Sequence, residues 1–156
     1  MAVDLGSVAP DFTLKDQDNS EVALSSYRGK SPVLLVFYPF AFSRICTGEL
    51  CQLRDDLAIY SDAGVEVLAI STDPTYALKA YATKEGYRFT LLSDFWPHGT
   101  VARAYDVFNE RAGMPVRGTF LVDTGGKVAF AEVNGRGEPR DQSAWQRAVE
   151  AIAEAV

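Results

Sequence analysis

The feature that most constrains the fold is an apolar run at residues 32–38, Pro-Val-Leu-Leu-Val-Phe-Tyr, which contains no polar side chain apart from the terminal tyrosine hydroxyl. Strands with one solvent-exposed face alternate apolar and polar residues, whereas an uninterrupted apolar strand is typical of a sheet covered on both faces. Val65 to Ile70 is the next predicted buried strand. These two strands predict a central parallel pair within an α/β fold.

Helical spacing follows each of these strands. From about Ser43, apolar residues recur at helical intervals until Gly64, at Leu50, Leu53, Leu57 and Tyr60. A second helix is predicted to begin at Pro74 and to end before Gly86. A brief strand at Leu91-Leu92, a short helix over residues 100–105 and an amphipathic helix from Trp145 to Val156 complete this order.

Two β-hairpins are predicted at the ends of the fold. Phe12–Leu14 and Val22–Leu24 flank a polar turn and form an edge hairpin, and Thr124-Gly125-Gly126 joins residues 118–123 to residues 127–133. No repeat or linker divides the chain, so we expect residues 1–156 to form a single domain. The prediction is a mixed central sheet of thioredoxin type, covered by helices on both faces.

Composition excludes several classes of function. The chain has 15 basic and 21 acidic residues, a net charge of −6. It therefore has no overall positive potential to attract phosphates, and we do not expect it to bind nucleic acid. The longest apolar run, Val33 to Phe42, is well short of the roughly 20 residues of a membrane span. The first residues carry no export signal, so we expect a cytoplasmic protein with reduced thiols. One histidine, His98, excludes a histidine-rich metal site and leaves a cysteine–histidine dyad as an alternative.

Cys46 lies in the first turns of the helix that follows the first central strand. Free N–H groups and the helix dipole favour a thiolate at such a position, which makes the sulfur a nucleophile. Ser43, Arg44 and Glu49 are polar residues beside it. Helix phase, however, places Cys46 on the apolar side with Leu50, where a cysteine often only packs. The residues alone leave both interpretations open.

Cys51 lies about 140° around the same helix from Cys46, beside Arg54 and Asp55, and is expected to be the more accessible thiol. An incidental surface cysteine is the alternative. The Cys-x4-Cys spacing is neither that of a zinc knuckle nor that of a Cys-x-x-Cys redox pair.

Residues 39–46, Pro-Phe-Ala-Phe-Ser-Arg-Ile-Cys, match the Pro-x3-Thr/Ser-x2-Cys signature of peroxiredoxins, with Glu49 three residues later. The opening residues 9–14 and the later residues 117–120 also resemble peroxiredoxin landmarks, so the resemblance covers nearly the whole chain. Residues 91–99 and 107–110 are most similar to the one-cysteine subgroup called AhpE. Cys51 instead resembles the second cysteine of the bacterioferritin comigratory protein group.

This resemblance implies a thioredoxin-like peroxiredoxin fold and a role for each residue of the signature. Cys46 would be the peroxidatic thiolate, Ser43 and Arg117 would hold the peroxide oxygens, and Pro39 would shield the pocket. Preorganised donors stabilise the negative charge that develops on the leaving oxygen, and the product is a cysteine sulfenic acid. No flavin, haem or metal is implied.

The resemblance also implies that Cys51 resolves the sulfenic acid by forming an intramolecular disulfide with Cys46. On an intact helix the two Cα atoms are about 8.7 Å apart, beyond the roughly 7 Å limit of a disulfide, so the first turns must unwind. Gly48, between the two cysteines, weakens the helix there.

The implied partners are a peroxide and an external reductant, which is a thioredoxin, a glutaredoxin-like protein or a small thiol. A homodimer is also implied, with Phe42 and Trp96 as apolar contacts near the site. Two alternatives remain: a redox sensor or interaction protein in which Cys46 oxidises without turnover, and a thiol–disulfide oxidoreductase that acts on proteins.

Overall fold

The computed structural model describes residues 3–135 and 140–154. Its helices and strands alternate along most of the chain. In order they are β1 (Thr13–Asp16), β2 (Glu21–Ala23), β3 (Val33–Phe37), α1 (Arg44–Asp55), α2 (Leu57–Asp62), β4 (Glu66–Ser71), α3 (Thr75–Glu85), β5 (Thr90–Ser93), α4 (Thr100–Ala104), β6 (Phe108–Asn109), β7 (Met114–Pro115), β8 (Arg117–Val122), β9 (Val128–Asn134) and α5 (Gln142–Glu154).

Seven of the strands form one mixed sheet in the order β2-β1-β5-β4-β3-β8-β9. β3, β4 and β5 run parallel, whereas β8 pairs antiparallel with β3 and β1 pairs antiparallel with β5. The predicted edge hairpin is β1–β2 and the later hairpin is β8–β9. The mixed sheet and the central position of β3 are therefore confirmed.

Both faces of the sheet are covered, as the unbroken apolar run predicted. Every residue of β3 is buried. Leu34 and Val36 face one core, which α1, α3 and α5 complete, whereas Leu35 and Phe37 face a second core that includes α4. None of the described helices is long and apolar enough to cross a membrane.

The structure corrects the sequence prediction in one helical region. The predicted helix from Ser43 to Gly64 is two helices, α1 and α2, separated at Asp56 (φ −98°, ψ 10°). Aspartate has a low helix propensity, which is consistent with a break at this position, although the Asp56 side chain makes no capping hydrogen bond. The small hairpin of β6 and β7 was not predicted, and Val156 lies outside the described residues.

Candidate active site

The site begins where β3 ends, at the carboxyl edge of the parallel strands. Tyr38 still donates its N–H to the Ile70 carbonyl of β4, at 3.0 Å, but Pro39 has no N–H with which to continue the sheet. The chain then crosses to α1, and the Ala41 N–H donates to Asp73 Oδ2 at 2.8 Å. Asp73 thus fixes the loop between β3 and α1.

Cys46 is the third residue of α1, and its side chain is completely buried. Ser43 is the N-cap, and the first N–H groups after it have no partner within the helix. The helix therefore directs free donors and its positive end toward the region of this thiol. The inward orientation expected from helix phase is confirmed.

Glu49, one turn after Cys46, binds two buried arginines. Arg117 Nη1 of β8 donates to Glu49 Oε1 at 2.6 Å, and Arg140 Nη2 donates to the same oxygen at 3.0 Å. The Arg140 backbone N–H also donates to Glu49 Oε2, at 2.8 Å. All three side chains are at most 7% exposed. Two guanidinium groups against one carboxylate leave one positive charge on the face of α1 that carries Cys46.

Burial affects the titration of the groups around Cys46. It lowers the pKa of Arg140, a shift that the Glu49 carboxylate opposes. Burial also raises the pKa of Tyr38 well above its ordinary value, so that phenol stays neutral. Cys46 is close enough to act electrostatically on both groups. Its surroundings therefore contain fixed positive charge and no ionised phenol at neutral pH.

The buried donors that have no hydrogen-bond partner among the described residues include Ser43 Oγ and Arg117 Nε. Ser43 does not use its hydroxyl to cap α1. Buried polar atoms are nearly always paired, because an unpaired one loses the hydrogen bonds that it made with water. These two atoms are therefore available to the oxygens of a bound molecule.

Cys51 lies further along α1 in a different environment. It is partly buried, and its Sγ is 3.7 Å from Glu85 Oε2 and 3.6 Å from the Tyr87 hydroxyl. The prediction that it is the more accessible cysteine is confirmed. Both thiols are free, and α1 is continuous between them.

The two aromatic residues that the sequence placed near the site have different neighbours. Phe42 immediately precedes the Ser43 N-cap, half-exposed, with its ring 4.8 Å from that of Tyr81. Trp96 instead lines a cavity of about 450 Å³ together with Tyr76 and Phe95. The residues that line this cavity do not include Cys46, Ser43 or Arg117.

Sequence reasoning missed Arg140 and the tyrosines beside Cys51. Arg140 lies 91 positions after Glu49 in an irregular segment, without periodicity or motif to mark it. His98 contacts the Gly113 carbonyl at 2.6 Å and packs against Phe95 and Phe108, and these contacts give no support to a cysteine–histidine dyad. Within residues 3–135 and 140–154, no three metal-ligating side chains come together.

Comparisons with known proteins agree with this geometry. The model of the AhpC/TSA family matches residues 5–131. Alkyl hydroperoxide reductase E of Mycobacterium bovis is 52% identical over 150 residues, covering 96% of this chain and 98% of that protein. Peroxiredoxin Bcp of Escherichia coli is 40% identical, over 79% of this chain and 81% of that protein.

Solved structures show the same relationship. Peroxidoxin BcpB of Mycobacterium tuberculosis superposes with a TM-score of 0.84 at 32% identity, covering 99% of this chain and 98% of that one. AhpC of Enterococcus faecalis gives a TM-score of 0.88 at 27% identity, covering 97% and 92%. The thioredoxin-like peroxiredoxin fold and the resemblance to both AhpE and Bcp proteins are confirmed. The chain belongs to the AhpC/TSA family of peroxiredoxins, the thiol-dependent peroxidases.

Proposed function

We propose that this peroxiredoxin reduces hydrogen peroxide and organic hydroperoxides through a sulfenic acid on Cys46. One observation carries the proposal: two buried donors, Ser43 Oγ and Arg117 Nε, have no hydrogen-bond partner among the described residues. Ser43 is the N-cap of the helix that carries Cys46, and Arg117 binds Glu49, one turn after Cys46. A peroxide presents two adjacent oxygens that accept hydrogen bonds. The two donors match this requirement.

The reaction follows from the charges at the site. The Cys46 thiolate attacks one peroxide oxygen, the S–O bond forms and the O–O bond breaks. The leaving oxygen takes a proton and departs as water or an alcohol, and the sulfur, oxidised by two electrons, becomes a sulfenic acid. Arg117 and Ser43 stabilise the charge that develops on the leaving oxygen, and Pro39 shields the pocket. Glu49 holds Arg117 in place.

Recycling requires a thiol, and Cys51 is the one nearest in sequence. We propose that its thiolate attacks the Cys46 sulfenic acid, that an S–S bond forms and that water leaves. An intact α1 keeps the Cα atoms about 8.7 Å apart, so the turn that contains Gly48 must open first. An external thiol then reduces the disulfide by exchange.

The external donor is a thioredoxin, a glutaredoxin-like protein or a small thiol of the reducing cytoplasm. We further propose a homodimer in which Phe42 and Trp96 contribute apolar contacts. Phe42 is 50% exposed and Trp96 81% exposed, so both rings are available to a second copy. Sedimentation across micromolar concentrations tests this assembly, and a monomer throughout that range would contradict it.

Steady-state peroxide consumption with dithiothreitol as the electron donor tests the peroxidase function. The native chain should turn over repeatedly, and the Lys79→Ala variant, which removes an exposed lysine paired with Asp18, should match it. A native protein that forms the sulfenic acid but consumes no more than one equivalent of peroxide would instead be a redox sensor. Reduction of insulin disulfides would indicate a protein thiol–disulfide oxidoreductase.

A further inference from the structure

Tyr81 of α3 contacts the chain on both sides of Cys46. Its side chain is fully buried, and its hydroxyl is 3.0 Å from Oγ1 of Thr47, the residue that follows Cys46. Its ring packs against Phe42, in the loop before α1, with 4.8 Å between the ring centroids. One side chain of a neighbouring helix therefore contacts the start of α1 and the loop that precedes it.

The Phe42 contact restrains a strained segment. Phe42 has φ of 67°, in the left-handed region that bulky side chains seldom adopt. Such a conformation persists only where its surroundings hold it. The Phe42 ring itself contacts the Tyr81 ring and the Lys84 ammonium, which lies 5.8 Å from the Phe42 ring centroid. Loss of the Tyr81 contact would let the loop relax and would favour opening of the adjacent turn.

The same tyrosine reaches toward Cys51. Its ring packs edge-on against Tyr87, with centroids 5.1 Å apart. The Tyr87 hydroxyl in turn lies 3.6 Å from Cys51 Sγ. A continuous set of contacts therefore runs from Thr47, beside Cys46, through the buried Tyr81 and Tyr87 to Cys51.

We propose that Tyr81 is a positioning residue for the peroxidase cycle: it keeps the first turn of α1 closed while Cys46 reacts with peroxide, and release of its contacts allows Cys46 to meet the thiol that resolves it. This inference rests on the proposed function. It follows from the geometry because the closed helix holds Cys46 and Cys51 too far apart for a disulfide.

Tyr81 forms and breaks no covalent bond in this scheme. After the turn opens, the Cys51 thiolate attacks the sulfur of the Cys46 sulfenic acid, the S–S bond forms and the S–O bond breaks. The hydroxide leaves as water with the proton that the Cys51 thiol released, and no further oxidant is needed. Tyr81 therefore sets how often the turn opens, which determines how fast disulfide formation competes with further oxidation.

The test is the Tyr81→Phe variant, which removes the hydroxyl and keeps the ring. In rapid-mixing experiments with hydrogen peroxide, the ratio of the rate of disulfide formation to the rate of Cys46 oxidation should rise about 2- to 10-fold, the effect of one net hydrogen bond. Sulfinic acid formation under excess peroxide should fall by a similar factor. Thr47→Val removes the same bond from its other end, so the double variant should show no further increase.

Tyr105→Phe is the matched control. Tyr105 is also fully buried and donates one hydrogen bond, to the Pro10 carbonyl at 2.6 Å, but it lies in the other core. Its loss should lower stability to a similar extent without changing the ratio. An equal change of the ratio in Tyr105→Phe would overturn the proposal, because general loosening would then account for the result.

A second arm separates the role of Tyr81 from that of Cys51. In a Cys51→Ser background, the Cys46 sulfenic acid reacts with added dithiothreitol, and Tyr81→Phe should accelerate that reaction by the same factor. If the native protein forms no disulfide but this acceleration is seen, Cys51 is not the resolving thiol, and the positioning role of Tyr81 is supported. If neither arm changes, the role of Tyr81 is overturned. If peroxide does not oxidise Cys46 at all, the peroxidase function fails and the inference fails with it.

Discussion

Cys46 and Cys51 lie on one helix, five positions apart, and the protein gives them different surroundings. Cys46 is completely buried, on the face of α1 where Glu49 binds two arginines. Cys51 is partly buried, with the Glu85 carboxylate 3.7 Å from its sulfur. The nearby Arg54 is paired with Asp55. The two thiols thus share a helix, and their difference comes from the strands and helices packed against it.

This difference indicates how one helix supports two kinds of sulfur chemistry. In the proposed cycle the first step is the attack of a thiolate on a peroxide oxygen. Fixed positive charge and free hydrogen-bond donors favour such a nucleophile. Substituting the cysteines and the residues around Cys46 one at a time therefore tests whether the two thiols have different roles.

The largest effect is expected for Cys46→Ser compared with Cys51→Ser. Cys46→Ser should abolish peroxide reduction, because a hydroxyl cannot replace a thiolate nucleophile. Cys51→Ser should reduce its first equivalent of peroxide at the native rate and then overoxidise readily. Peroxide consumption and mass spectrometry of the protein measure both results. Retained turnover in Cys46→Ser would show that Cys46 is not the thiol that reacts with peroxide.

Arg117→Ala should slow the reaction of Cys46 with peroxide about 10²- to 10³-fold, the usual effect of losing one donor to a developing oxyanion. Stopped-flow measurement of sulfenic acid formation gives this rate. Alkylation of Cys46 by iodoacetamide should slow as well, because the sulfur loses a positive neighbour. Alkylation of Cys51 in the same sample is the internal reference. Unchanged rates at both cysteines would show that Arg117 does not act on Cys46.

Glu49→Gln should lower the free energy of unfolding by about 3–5 kcal/mol, since it leaves two buried guanidinium groups without their carboxylate. Urea unfolding of the reduced protein measures the change. Asp18→Asn is the control, because it breaks an exposed pair with Lys79 and should cost less than about 1 kcal/mol. Similar losses in the two variants would mean that the buried network contributes no more than a surface pair.

The smallest effect is expected at Ser43. Ser43→Ala removes one of the unpartnered donors and should slow the peroxide reaction about 2- to 10-fold, the value of one net hydrogen bond. Ser43→Thr keeps the hydroxyl and should retain the native rate. A threonine variant that is as slow as the alanine variant would indicate that shape, and not the hydroxyl, matters at this position.

The parts of the fold that depend on the spacing of neighbouring residues were predictable from the sequence. The apolar run of β3 predicted a strand buried on both faces, and helix phase predicted that Cys46 points inward. The break at Asp56 was not predictable from the apolar spacing, which continues across it to Tyr60. The break is a local change of backbone conformation at one residue, which the spacing of apolar side chains does not report.

The chemistry around the cysteines depended on contacts between distant parts of the chain. Arg117 and Arg140 lie 68 and 91 positions from Glu49, and only the sheet and the approach to α5 bring them together. The family signature identified Arg117, but no local pattern marks Arg140. Likewise, Cys51 contacts residues about 35 positions away, so its position on α1 indicated exposure but not its partners.

The most direct test of the difference between the two thiols is mass spectrometry of the reduced protein after one equivalent of hydrogen peroxide under anaerobic conditions. We predict that both free thiols are lost together, with an intramolecular disulfide between Cys46 and Cys51 and no covalent dimer. Cys51→Ser in the same experiment should stop at the Cys46 sulfenic acid. A native protein that keeps a lasting Cys46 sulfenic acid and a free Cys51 thiol would contradict the proposal that Cys51 resolves Cys46.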